Sequence, residues 1–133
     1  MKRIIAVDPD AVNRYVPEDA REWPEADQPV FLLKALKARE AAKLQDHGVE
    51  VGMGTDNTMR VLSGSTIIRA LELGLVGWEN FKDASGNEVE WRENNGKGRP
   101  ENLDRIPERI RRELAEVIAE GTFFMEQEEK NSD

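Results

Sequence analysis

Val30-Phe31-Leu32-Leu33-Lys34-Ala35-Leu36, running directly into Lys37 to His47, decides the fold class. The first seven residues open with a β-branched and an aromatic side chain and stay apolar but for Lys34, which predicts a buried strand. Lys37 to His47 is built from good helix formers, and Gly48 supplies a plausible stop just past the last turn. A strand passing straight into a helix, among short glycine-punctuated runs, predicts an α+β domain.

Toward the C-terminus, Val49-Glu50-Val51-Gly52 and Met59-Arg60-Val61-Leu62 flank Gly54-Thr55-Asp56-Asn57. A hairpin is expected there, because Gly52, Gly54 and Gly64 would each penalise one long helix. Ser65 is expected to cap the next helix, whose stripe of Ile67, Ile68, Ala70, Leu71 and Leu75 ends near Gly74 and covers the sheet. From Leu75 to Trp91, Ser85-Gly86-Asn87 is a turn signal between two aromatic-bearing runs and predicts a second hairpin. Asn94-Asn95-Gly96-Lys97-Gly98-Arg99-Pro100 is expected to be an exposed, mobile polar loop. The last helix starts near Pro107, carries Ile110, Leu114, Val117 and Ile118 at helical spacing, and ends at Gly121. On its other face Glu108 with Arg112, Arg109 with Glu113, and Arg112 with Glu116 are spaced four apart, as in a solvated helix surface. Thr122-Phe123-Phe124-Met125 then precedes a polar tail, residues 126–133.

Toward the N-terminus, Arg3-Ile4-Ile5-Ala6-Val7 predicts a short strand stopped by Asp8-Pro9. Residues 8–29 hold Pro9, Pro17, Pro24 and Pro29 and seven acids against two arginines, so an extended, irregular arm is expected. Its sizeable apolar groups, Tyr15, Val16 and Trp23, either pin the arm across its own domain, the favoured reading, or reach a neighbouring subunit. The whole is expected to be a single domain over 1–133. It is read as a small, mainly antiparallel sheet with two β-hairpins, covered by about three helices, with a long irregular N-terminal excursion.

Composition narrows the function. Val, Ile, Leu and Phe supply 31 of 133 residues, enough for a modest core. With 27 acidic against 19 basic residues the formal charge is −8, which opposes affinity for phosphate backbones or anionic lipid and favours basic or apolar partners. No run approaches a membrane span, and the apolar N-terminal stretch meets Asp8-Pro9-Asp10 too soon for a signal peptide, so a cytosolic protein is expected. The absence of cysteine removes disulfides, thiolate metal sites and cysteine nucleophiles.

Catalytic equipment is sparse. His47 is the sole imidazole and falls at a helix end, where capping explains it better than catalysis. Leu62-Ser63-Gly64-Ser65-Thr66 is no nucleophile elbow, and Gly52-Met53-Gly54 and Gly96-Lys97-Gly98-Arg99 are no phosphate loops. Asp83 to Glu88 lacks the glycine position and final glutamate of a calcium loop, and turn chemistry accounts for it. No enzyme, metal site or cofactor is expected. Contact with a protein partner is instead assigned to Trp23, Trp78, Phe81, Trp91, Phe123 and Phe124, because aromatics concentrate in interface centres. For Trp78 and Phe81 a core position is the stronger reading; Phe123 and Phe124 are either folded back on the core or an exposed docking element.

Gly74-Leu75-Val76-Gly77-Trp78-Glu79-Asn80-Phe81, then Asp83, Gly86 and Val89, resembles a pattern in small proteins of tailed-bacteriophage structural gene clusters. Asn102-Leu103-Asp104-Arg105-Ile106-Pro107 leading into Glu113-Leu114, the ending Glu128-Glu129-Lys130-Asn131, and upstream Tyr15-Val16-Pro17-Glu18 are similar to the same group, the tail assembly chaperones. The resemblance implies a non-enzymatic morphogenesis factor that binds the tape-measure protein or tail-tube subunits in the host cytoplasm, with homo-oligomerisation as an option. The alternatives are a virion component for head-tail joining, tail or decoration, and an acidic host-defence inhibitor.

Overall fold

The computed structural model describes residues 3–6, 8–46, 49–51 and 60–121. It is an α+β fold built on a three-stranded antiparallel sheet of β1 (Asn13–Tyr15), β2 (Val30–Leu33) and β5 (Leu75–Glu79), in the order β1-β2-β5. The hairpin expected after the first helix is present as β3 (Val49–Val51) against β4 (Arg60–Leu62), a separate two-stranded sheet. Its connecting residues, with His47 and Gly48, lie outside the described residues. A second two-stranded hairpin pairs β6 (Glu93–Asn94) with β7 (Lys97–Gly98).

Three α-helices occur among the described residues: α1 (Ala38–Asp46), α2 (Gly64–Gly74) and α3 (Glu108–Glu120). The cap of α2 is Ser63, not Ser65: its Oγ accepts from the Thr66 N–H, while Ser65 lies inside the helix. Thr66, Ile67, Ala70, Leu71 and Gly74 form the buried stripe, recurring every three or four residues as one helix face requires. That face meets Leu114, Ala115 and Ile118, the buried stripe of α3. The two helices approach so closely at Gly74 that a Cβ there would lie 2.6 Å from Ile118 Cγ2. Gly121 ends α3 in the left-handed conformation, its N–H donating to the Val117 carbonyl.

The inner face of the sheet carries Phe31, Leu33, Leu75 and Trp78 into the same core. At the end of β2 the Lys34 N–H donates to the Gly74 carbonyl, which joins the sheet directly to the end of α2. No helix among the described residues is long and apolar enough to cross a membrane.

Four local expectations change. Arg3–Ala6 is not a strand; the first strand is Asn13–Tyr15, inside the proline-rich arm, because Phe31 and its neighbours offer an edge that a short extended segment can pair with whatever its flanks. The rest of the arm is less irregular than its prolines suggest, with 3-10 turns at Glu18–Ala20 and Glu25–Asp27, each preceded by a proline. Leu75–Glu79 pairs with β2 and not with the run before Trp91, and the expected hairpin is shortened to Phe81–Val89, where the Lys82 to Glu88 bridge and the bonds from Val89 N–H to the Phe81 carbonyl and from Asp83 N–H to the Asn87 carbonyl close the turn at Ser85-Gly86-Asn87. Finally, the loop before Pro100 is exposed but not unstructured. Asn95 and Gly96, both at positive φ, make the tight turn between β6 and β7, and a 3-10 helix at Pro100–Arg105 buries Asn102 and Leu103.

Candidate functional site

Four aromatic rings from three segments meet at the end of β5 distant from α2. Trp78 is the hub, with ring centroids 5.0 Å from Phe81, 4.9 Å from Trp91 and 6.3 Å from Phe31. The contacts with Trp91 and Phe31 are edge-to-face, the arrangement that aligns ring edges with neighbouring π faces. Trp78 Nε1 donates to the Val89 carbonyl at 2.7 Å, so its one polar atom is used internally. Trp91 Nε1 is buried without a partner among the described residues.

Backbone and amide contacts fix this cluster. Asp83 Oδ1 accepts from the N–H groups of Ser85 and Asn87, shaping the turn that returns Val89 to Phe81, where its N–H donates to the Phe81 carbonyl. Asn102 is 2% exposed and clamps the next segment: its Oδ1 accepts from Arg92 N–H and its Nδ2 donates to the Arg92 carbonyl, as a neighbouring strand would. Gly98 lies against Trp91, and a Cβ at that position would fall within the indole. Asn80, at positive φ, donates to the carbonyls of Ala26 and Gln28 and ties the arm to the same end of β5.

Beside the rings the chain opens a cleft of about 490 Å³, lined by Asp83, Glu88, Val89, Glu90, Arg92, Glu101, Asn102, Asp104 and Arg105. Five carboxylates against two guanidiniums give its lining a formal charge of −3. Glu90 and Arg92 line the cleft, while Trp91, between them, packs edge-to-face against Trp78. Such a wall can hold a cationic side chain by electrostatics and keep an anion out. Among the described residues no group of three or more His, Asp or Glu side chains is arranged to hold a metal ion.

Of the residues assigned to partner contact, Trp78, Phe81 and Trp91 come together here, yet Trp78 is only 8% exposed and the other two are half-buried. Trp23 stands apart on the arm between the two 3-10 turns and is 50% exposed. Phe123 and Phe124 lie outside the described residues. The cleft acids were missed because they come from two segments, 83–92 and 101–105, that no spacing within either run connects. The available signal was the adjacency of Glu90 to Trp91.

The arm has its own anchor. Tyr15 Oη donates to Glu113 Oε2 at 2.6 Å, and the same oxygen accepts from the Glu18 N–H at 2.9 Å. Burial, reinforced by that carboxylate, pushes the Tyr15 phenol far above the ordinary tyrosine range. Asp19 pairs with Arg109 at 2.8 Å, so two residues of α3 expected to pair along their own helix face, the exposed Arg109 and the half-buried Glu113, instead hold the arm. Glu108 with Arg112 does pair within the helix, at 3.1 Å. No family model matches the chain, and neither the curated proteins nor the solved structures include a significant match.

Proposed function

We propose that this chain acts by holding another polypeptide during assembly of a larger particle, as a tail assembly chaperone of a tailed bacteriophage would in the host cytoplasm. The observation that carries the reading is the acid-lined cleft formed by residues 83–92 and 101–105, whose Glu90 and Arg92 flank the Trp91 ring packed on Trp78. A partner segment bearing lysine or arginine beside an apolar residue complements the −3 lining, while the −8 of the whole chain keeps a complex with an aggregation-prone partner in solution. The tape-measure protein and the tail-tube subunits are the partners that the sequence resemblance suggests.

Co-expression with the tape-measure protein of a tailed phage that carries this chain tests this directly. The expected result is a soluble complex that weakens as salt rises and is lost in the double variant Glu90→Lys, Glu101→Lys. Failure to bind both the tape measure and the tube subunits would remove the reading. A building-block role is favoured by the half-exposed Trp23 on the arm, a shape suited to gripping a neighbour in a particle. Mass spectrometry of purified particles separates the two roles, since a virion component remains at fixed stoichiometry and a chaperone leaves.

A further inference from the structure

The sheet ends on an unpaired edge. β1 is an outer strand, and no strand among the described residues pairs with its free side. Open edges invite another strand, since their outward N–H and C=O groups have no partner in the ladder. Upstream, Arg3-Ile4-Ile5-Ala6 has the composition of a strand but pairs with no strand among the described residues: Ile4 is fully exposed and Ile5 is 39% exposed. Val12, immediately before β1, is 52% exposed, so apolar surface is present at the edge as well as on the free segment. One chain thus carries both an empty edge and an unused strand.

A turn links the two. Asp8 Oδ1 accepts from Asp10 N–H and the Asp8 carbonyl from Ala11 N–H, reversing the chain between the free segment and β1. Among the described residues the segment and the edge do not pair with each other. We infer that residues 3–6 add as an antiparallel strand to β1 of a second copy, and that two copies exchange these segments about a two-fold axis. Such an exchange closes both edges at once and leaves no strand open for a third chain. The antiparallel direction carries the basic end, Arg3, toward the exposed Glu18 that follows β1. Each copy buries Ile4 or Ile5 against the region of the partner's Val12.

Because the chain contains no cysteine, the test has no background. The full-length protein is expected to scatter light as a species of twice 15.1 kDa at high concentration, and Ile5→Pro, which removes a ladder donor outside the core, is expected to convert it to monomer. A full-length Ile5→Cys chain mixed with a full-length Arg14→Cys chain should be joined by a short bis-maleimide into a covalent heterodimer. The double variant Ile5→Cys, Arg14→Cys should give crosslinked dimer that dilution suppresses. If the double variant closes only within one chain, the segment folds back on its own edge and the exchange is wrong. A wild-type chain that stays monomeric, a dimer that survives Ile5→Pro, or no crosslink in either experiment overturns it equally.

Discussion

Between α2 and α3 the molecule buries Ala70, Leu71, Leu114, Ala115 and Ile118, side chains without a polar atom, whereas at the outer end of β5 it buries rings and amides tied by hydrogen bonds. The first region holds by close packing alone, and the second holds a shape. A helix seam made of aliphatic groups tolerates no loss of volume but asks nothing of direction. The aromatic end needs Trp78, Asn102 and Asp83 each aimed at one backbone group, and it carries charge on its outer wall. Close aliphatic packing and directional hydrogen bonding are therefore found at different ends of the fold.

The largest effect expected from this division is at the seam. Leu114→Ala, at a fully buried position, should cost about 2 to 5 kcal/mol in chemical denaturation, whereas Glu101→Gln on the cleft wall should stay within about 0.5 kcal/mol. Comparable costs for the two would break the comparison. Next comes Gly98→Ala, whose methyl must displace the Trp91 indole; a loss of about 1 to 3 kcal/mol is expected, with a shift in tryptophan emission that Leu114→Ala does not produce. An unchanged spectrum would mean that the rings are not fixed by the glycine. Tyr15→Phe removes the phenol from Glu113 and should cost about 1 kcal/mol, with the arm becoming more accessible to protease than either core region.

The smallest effect has a pH signature. Burial, with Glu120 nearby, raises the Glu116 carboxyl above its ordinary range against the opposing pull of Arg112. A carboxyl whose pKa is higher in the folded state favours folding when protonated, and that contribution disappears as pH rises through the folded value. Glu116→Gln, which mimics the protonated form, should raise the melting temperature slightly near neutral pH and have no effect in acid below the carboxylate range. A gain that persists in acid would point to packing instead of charge.

Much of the fold was legible because its signals are local. The apolar run at Val30, the stripe of α2 and the heptad-like spacing of α3 each lie within a dozen residues, and all three elements are present. The edges were harder. Ser63 and Ser65 are equally good caps by chemistry, and Gly64 as the first helical residue decides for Ser63. β1 has three residues among prolines, too few to show a period of two, and its existence depends on β2 lying beside it. Arg3–Ala6 has the stronger local signal and no strand partner among the described residues. The aromatic half of the site was visible as residue types, but the cleft was not, since its acids converge only after Asn102 brings residues 101–105 against Arg92.

The bond from Tyr15 to Glu113 joins positions 98 residues apart, and it sets a schedule for the growing polypeptide. At roughly 5 to 20 residues added per second, its acceptor is synthesised about 5 to 20 s after its donor. Throughout that interval the Tyr15 phenol lacks its acceptor, so a ribosome stalled before residue 113 would present a newborn chain whose arm depends on its pairing with β2 and on the Asn80 amide without the Glu113 bond.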